Sequence, residues 1–235
     1  MYLSVVIPAY NEENRLPQTL SEIRPYLDAQ GYAYEVLVVD DGSLDRTVEL
    51  CRNAGWPQLR CLSGFGHEGK GACVKRGCLE ARGENVLVMD ADHATPIDSL
   101  SFFMPARKEA EIVVGVRTFC GQEGASGKGR RIIGLIQQLM AHLIVFKYSV
   151  ADSQCGFKLF SREAARKVFS RSRVKGGMYD VEIFLIAQKH QIPMFSQPVR
   201  WVNKEGSTIN IPRCMIQDPC SLLAIRFAEL MGKYN

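Results

Sequence analysis

Tyr34-Glu35-Val36-Leu37-Val38-Val39-Asp40-Asp41-Gly42-Ser43 decides the fold. Tyr34 to Val39 reads as a continuous apolar strand, and the acidic pair with Gly42 turns it into a loop. The pattern recurs on either side. Leu3 to Pro8 is an apolar run ending in Pro8-Ala9-Tyr10-Asn11, and Asn85 to Met89 is another, ending in Asp90-Ala91-Asp92. Shorter strands are expected over Leu59 to Leu62 and Ile112 to Val116. Helical segments lie between them. Arg15 to Gln30 carries Leu16, Leu20, Ile23 and Leu27 at helical spacing. Ser43 is expected to cap a helix running through Cys51, with Asp45 in its first turn. Gly69 to Ala81 and Ile97 to Lys108 read as two more helices.

Continuous Val/Ile/Leu strands alternating with helices predict an α/β fold, with a Rossmann-like, mostly parallel central sheet flanked by helices. Such sheets bind ligands beyond the carboxyl ends of their strands. Asn11, Glu12, Asp40, Asp41, Asp90, Asp92 and Arg117 all fall at those ends. Fold and chemistry coincide there, and the coincidence points to a nucleotide-type site.

The 235 residues are 46% hydrophobic and 23% charged, an ordinary globular balance that excludes disorder, collagen-like repeats and coiled coil. One domain over 1–235 is expected, since neither a linker nor an internal repeat is visible. Lys+Arg 29 against Asp+Glu 25 gives +4, too little for nucleic acid, which would need a dense basic stripe. No run of about 18 apolar residues occurs, so no segment is expected to span a bilayer. Met1 to Pro8 lacks a basic region and reads as the first core strand instead of a signal peptide. The 8 cysteines show no CxxC spacing, so reduced thiols in a cytosolic protein are expected. A disulfide framework or a zinc site is the alternative.

The second half differs. Phe119 to Arg131 is Gly-rich and basic, and a mobile loop is expected there. An apolar helix follows over Ile132 to Tyr148, then a strand over Phe157 to Phe160 and a helix from Arg162 to about Phe169, capped by Ser161. Tyr179 to His190 reads as a helix, Met194 to Val202 as a strand, and Pro219 to about Gly232 as a last amphipathic helix.

Met89-Asp90-Ala91-Asp92 carries the sharpest chemistry. At a strand end, positions i and i+2 point the same way. Two carboxylates on one face make a hard oxygen site for Mg²⁺ or Mn²⁺, able to bridge a diphosphate. A pair of capping or solvated aspartates is the bland alternative. Asp40 can accept from a base or ribose, or simply close an Asx turn. Gly66-His67-Glu68-Gly69-Lys70-Gly71 fits neither a Walker A loop nor a dinucleotide fingerprint, yet it can bring Lys70 and backbone N–H groups near phosphate. Arg117, Lys128, Arg130 and Arg131 form a basic cluster suited to a phosphate at a membrane surface, or to a solvated loop. His67, His93, His142 and His190 show no ligand spacing and read as structural, although His93, directly after the carboxylate pair, could instead touch substrate. No Ser/His/Asp or Cys/His set is legible.

In order and spacing these motifs resemble family 2 glycosyltransferases with the GT-A fold. The resemblance rests on Val6-Ile7-Pro8-Ala9-Tyr10-Asn11-Glu12-Glu13, Val38-Val39-Asp40-Asp41-Gly42-Ser43, Gly69-Lys70-Gly71 and Met89-Asp90-Ala91-Asp92. Asp90 to Pro96, Asp152-Ser153-Gln154-Cys155-Gly156-Phe157-Lys158-Leu159-Phe160 and Tyr179-Asp180-Val181-Glu182 look like the dolichyl-phosphate β-glucosyltransferase branch. His93-Ala94 after the second Asp favours a glucosyl donor over the mannosyl relatives, which often show Leu-Gln there.

The resemblance implies inverting, metal-dependent transfer from a nucleotide sugar, UDP-glucose above others, to a polyprenyl or dolichyl phosphate. It implies a nucleotide-sugar half over 1–118 and an acceptor half over 119–235, with acceptor-side helices at the C-terminal end. Pro8, Ala9, Tyr10, Glu12, Asp40 and Asp41 would hold the nucleoside side of the donor. Lys70 would approach base or phosphates, and Asp90, Ala91 and Asp92 the diphosphate, with Asp90 and Asp92 as metal ligands. Arg117 and Arg131 would take the acceptor phosphate, and Asp152 and Gln154 the sugar pocket. Asp92, Asp152 and Arg117 are the residues expected at the reacting atoms.

A phosphate monoester has a second pKa of about 6, so the nucleophile is largely an anion at neutral pH and needs no strong base. A cytoplasmic protein, peripheral at the cytoplasmic face of a membrane, is expected, either as a homo-oligomer or with a separate membrane partner. The helices over 132–148 and 219–232 would lie at the interface. Two alternatives remain open: a family 2 enzyme with a soluble or polysaccharide acceptor, needing a base such as Asp152 or Asp180, and a mannosyl- or GlcNAc-transferring relative. A non-catalytic sugar-nucleotide sensor is the reading from a different class.

Overall fold

A computed structural model describes residues 1–117, 152–202 and 211–235. The chain builds β1 (Leu3–Ala9), α1 (Leu16–Asp28), β2 (Tyr34–Asp40), α2 (Thr47–Arg52), β3 (Leu59–Leu62), α3 (Lys70–Glu80) and β4 (Asn85–Val88). A 3₁₀ turn (Ile97–Ser99), α4 (Leu100–Ala106) and β5 (Ile112–Arg117) follow. The rest is β6 (Lys158–Ser161), α5 (Arg162–Arg171), α6 (Tyr179–Lys189), β7 (Met194–Val199) and α7 (Ile211–Leu230).

Among the described residues the strands form one sheet in the order β3-β2-β1-β4-β6-β5-β7. It is parallel except for β6, which runs antiparallel to both β4 and β5. The expected mostly parallel, helix-flanked sheet is therefore present. Register levels the ends that matter: Ala9 pairs with Asp40 across β1 and β2, and Val6 with Val88 across β1 and β4. The loops after β1, β2 and β4 consequently emerge on one edge. Because β6 runs the other way, its first residue, Lys158, arrives at that same edge, opposite Val88 and Val114.

Side chains alternate across the strands, so β1 feeds two cores. Val6 packs with Leu37, Val39, Cys73, Cys78, Phe160, Phe184, Leu222 and Ile225 beneath α3, α5, α6 and α7. Val5 and Ile7 pack on the other face with Leu16, Leu20, Ile23, Leu27, Trp56, Phe103 and Phe157. Each fully buried Leu, Ile or Val contributes about 1.5–3 kcal/mol of apolar transfer, which explains why these runs tolerate so few polar residues. Glu35 is one exception: its carboxylate takes the Ser4 hydroxyl, the Arg82 N–H and the Arg60 guanidinium. At Gly77 a Cβ would lie 2.4 Å from Val6 Cγ1, so glycine lets α3 sit directly on β1.

Three expected boundaries shift. Ser43 does not cap α2, which starts at Thr47. Asp40 accepts from the Gly42 and Ser43 N–H groups, closing an Asx turn, and the Ser43 hydroxyl accepts from Asn11 N–H at 2.9 Å. Arg46 stands at the N-cap without a side-chain cap, and Asp45 before it closes an Asx turn by accepting from Thr47 N–H at 3.0 Å. β7 ends at Val199, short of Val202, whose N–H donates to the Ala94 carbonyl. α7 starts at Ile211 and contains Pro219, which forfeits one intrahelical bond without ending the helix. Ser161 caps α5 as expected, accepting from Ala164 N–H at 2.9 Å. Cys51, Cys61, Cys73, Cys78, Cys155 and Cys220 carry free thiols. The expected 119–131 loop, with Lys128, Arg130 and Arg131, and the 132–148 helix lie outside the described residues.

Candidate active site

The loop after β4 is held from two sides. The Thr19 hydroxyl of α1 donates to the Ala91 carbonyl at 2.6 Å, and Asp92 closes its own Asx turn by accepting from Ala94 N–H. His93 occupies a left-handed backbone conformation (φ 51°). Its Nε2 accepts from Ile97 N–H, and its Nδ1 stands 2.5 Å from the Glu22 carboxylate. Both ring nitrogens are thereby engaged within the protein. Gly156 supports the loop from below: a Cβ there would lie 2.0 Å from Asp90 Oδ2, so only glycine leaves room for the carboxylate.

Three ion pairs surround this point. Lys70 Nζ, in the first turn of α3, lies 2.6 Å from Asp90 Oδ1. Arg117, at the end of β5, grips Asp152 in a fork, Nε to Oδ2 at 2.7 Å and Nη2 to Oδ1 at 2.9 Å. Lys158 Nζ, fully buried, lies 2.6 Å from Asp180 Oδ1 and 2.5 Å from the Cys155 carbonyl. Burial alone would raise the Asp90 carboxyl, but Lys70, Lys158 and Arg117 outweigh it and hold it below the ordinary value. Burial would lower Lys70, but Asp90 and Asp180 hold it above its ordinary value. For Asp180 burial prevails over Lys158 and Lys70 and raises the carboxyl.

The loop after β1 supplies the far wall. Glu12 is buried and forked to Arg15 at 2.6 and 2.7 Å. Burial lifts the Glu12 carboxyl against Arg15, with Asp92 and Asp90 adding to the lift. Pro8 and Ala9 are buried in β1, whereas Tyr10 is half-buried with its ring stacked on His67 at 4.1 Å. Asp41 accepts from the Glu68 and Gly69 N–H groups and lies 2.9 Å from His67 Nδ1, fixing the loop that leads to Lys70. Gln154 donates its N–H to Asp152.

The predicted residues Tyr10, Glu12, Asp40, Asp41, Lys70, Asp90, Ala91, Asp92, Arg117, Asp152 and Gln154 thus share one edge of the sheet, while Arg131 lies outside the described residues. Sequence reasoning gave no site role to Gly156 or Lys158, and read His67 as structural. A lone cation in the apolar run Phe157 to Phe160 was the available signal for Lys158. Asp152 and Asp180, the bases a soluble acceptor would need, are both committed to cations.

Among the described residues no group of three or more His, Cys, Asp or Glu side chains is disposed to hold a metal ion. The fit is of another kind. Asp90 and Asp92 lie past the end of β4 at Val88, in the turn that follows, so strand alternation does not set their directions as the sequence suggested; they are still two carboxylates of one short turn, and Mg²⁺ is commonly held by one or two carboxylates completed by substrate phosphates. Around the turn after β4, the four carboxylates Asp90, Asp92, Asp152 and Asp180 against the three cations Lys70, Lys158 and Arg117 leave one formal negative charge. The cradle under Asp90 keeps its carboxylate presented beyond the strand.

The profile of the family described as glycosyl transferase family 2 matches residues 4–169. A dolichyl-phosphate beta-glucosyltransferase of Trichomonas vaginalis is 38% identical over 218 residues, covering 86% of this chain and 64% of its own length. The dolichyl-phosphate beta-glucosyltransferase of Homo sapiens is 34% identical, covering 99% of this chain and 77% of its own. Among solved structures, glucosyl-3-phosphoglycerate synthase of Mycobacterium tuberculosis, in complex with Mn²⁺ and UDP-glucose, superposes with a TM-score of 0.70 at 18% identity. It covers 96% of this chain and 78% of its own, a likeness of fold.

Proposed function

The chain belongs to glycosyl transferase family 2, and from that premise we propose that it transfers glucose from UDP-glucose, with inversion, to a dolichyl or polyprenyl phosphate at a membrane surface. It is a glycosyltransferase with the GT-A fold. The observation that carries the reading is the meeting of a carboxylate pair, Asp90 and Asp92, with a guanidinium, Arg117, at one sheet edge. The names of the relatives support the acceptor and the sugar.

Asp90 and Asp92 would hold a divalent cation, Mg²⁺ or Mn²⁺, whose chemistry would be to offset the negative charge growing on the departing diphosphate. Tyr10, stacked on His67, offers a ring face to the base. Lys70 contributes a cation next to Asp90, on the diphosphate side. Arg117, held by Asp152, keeps its remaining donors for the acceptor phosphate. An acceptor oxygen attacks the anomeric carbon as the bond to the diphosphate breaks on the opposite face, which inverts the centre. The nucleophile is already an anion, so positioning and charge supply the rate. The absence of an uncommitted base in Asp152 and Asp180 agrees with that chemistry.

Among the described residues no helix is long and apolar enough to cross a membrane. α7 instead leaves Leu223, Phe227 and Leu230 exposed at helical spacing, with Met231 exposed just beyond its end. That stripe supports peripheral docking at a membrane surface, where the lipid acceptor would be met; the cytoplasmic face is part of the same proposal.

Asp92→Asn tests the reading. With a short polyprenyl phosphate and a panel of nucleotide sugars, mass spectrometry should find glucosyl product for the wild type and none for the folded variant. Full activity in the variant would remove the carboxylate pair from the mechanism. Vesicle flotation tests docking: no binding to anionic liposomes would refute the membrane role.

A further inference from the structure

We propose that Lys158 and Asp180 are a buried positioning pair that sets where Asp90 stands. The inference rests on the family 2 reading of Asp90 as a donor-side ligand. Lys158 is the first residue of β6 and lies opposite Val88, two residues before Asp90. Its ammonium is 0% exposed and makes two short contacts, to the Cys155 carbonyl at 2.5 Å and to Asp180 Oδ1 at 2.6 Å. The rings of Phe184 and Tyr179 flank it at 5.6 and 6.0 Å.

The Cys155 carbonyl matters because the next residue is Gly156, the floor under Asp90. There the backbone runs so close that a Cβ would meet Oδ2 at 2.0 Å. Lys158 therefore ties the floor of the site to α6 through Asp180. Lys70, the ion partner of Asp90, starts α3, and Gly71 in that same turn lies so close to α6 that a Cβ would meet Tyr179 Cβ at 2.7 Å. One buried pair thus fixes the base of the carboxylate, while the same helix backs the turn that carries its partner. A buried ion pair is seldom retained for stability alone, since an apolar pair of similar volume is often as good or better. Here the pair adds direction, because an apolar pair cannot hold the Cys155 carbonyl.

Two variants test it: Lys158→Met with Asp180→Leu, which replaces the pair by apolar volume, and Asp180→Asn alone, which keeps an oxygen acceptor without the charge. Circular dichroism reports folding. Calorimetry with UDP and Mn²⁺ reports donor-side binding, and steady-state kinetics separate kcat from KM.

The expected result is a folded double variant whose Kd for UDP–Mn²⁺ rises about tenfold and whose kcat falls about 10²-fold, with Asp180→Asn intermediate in both. A purely structural role would lower the fraction of competent protein and leave Kd unchanged, so an unchanged Kd in the folded double variant overturns the proposal. Should the double variant not fold, Asp180→Asn decides alone: a raised Kd at wild-type folding supports the proposal, and a wild-type Kd overturns it. Wild-type protein that neither binds UDP–Mn²⁺ nor transfers sugar would instead overturn the donor-site reading, which keeps the two failures distinct.

Discussion

Gly156→Ala should nearly silence the enzyme while leaving it folded. The added methyl would lie 2.0 Å from Asp90 Oδ2 and 2.3 Å from its Cγ, with no backbone atom among the nearest three contacts. The carboxylate is the far end of a side chain and can rotate away. It must move from 2.0 Å to the 3.4 Å of ordinary contact, a displacement of about 1.4 Å. That movement breaks the 2.6 Å contact with Lys70, a partly exposed pair worth about 0.2–1 kcal/mol. Gly156 does not have a positive φ, so alanine adds no backbone strain and recovers about 0.4–1 kcal/mol through the unfolded chain. Net stability should change by about 1 kcal/mol or less. Catalysis is far more sensitive, because a 1 Å misplacement costs roughly 10²-fold. Thermal unfolding and initial-rate kinetics on the same preparation make the comparison. A variant with wild-type kcat/KM would show that Asp90 does not need its observed position, and a variant that fails to fold would show that the cradle is structural.

Arg117→Lys keeps the charge and loses the fork to Asp152. The expected outcome is a rise of about tenfold in acceptor KM, about 1.4 kcal/mol, with donor KM unchanged in steady-state assays. Glu182 is fully buried and accepts from Arg173 and Val174 N–H and from the Tyr234 hydroxyl, all within 2.7 to 2.9 Å. Glu182→Gln turns donors toward donors and should cost about 2–3 kcal/mol, lowering Tm by several degrees in calorimetry. Burial, and then donation of its hydroxyl to Asp28, push the Tyr34 phenol from 10.0 up to about 12. A raised pKa gives stability that is whole below pH 10 and is lost as pH rises through 12. Tyr34→Phe should therefore start less stable at pH 8 and decline less steeply between pH 10 and 12, and an equal slope would refute the assignment.

The strands and the acids that end them were legible because a sheet covered on both faces forces unbroken apolar runs, and polar residues can return only where the run stops. Asp40, Asp41, Asp90 and Asp92 were found this way. Arg117 and Asp152 were named separately, but 35 residues part them in sequence and nothing local announces a shared fork. Ser43 misled because a hydroxyl before a helix can as well serve the neighbouring loop, and Asn11 claimed it. Gly156 was invisible as a site residue, since its role is the absence of a side chain beside a residue far away in sequence. Lys158 was visible as an anomaly, yet only the fold shows which carbonyl and which carboxylate it serves.

The antiparallel strand wedged between β4 and β5 bears on how the molecule is made. β1 to β4 are parallel neighbours that can assemble in sequence as the chain emerges, but β4 then ends in an open edge. β5 cannot close that edge, because its own partners, β6 and β7, begin only at residues 158 and 194. The sheet is therefore sealed late, by contacts of large sequence separation that form slowly. Until then an apolar strand with unpaired N–H and C=O groups stays available to other chains. Synthesis rate and chaperone supply should affect yield more than they affect the finished enzyme.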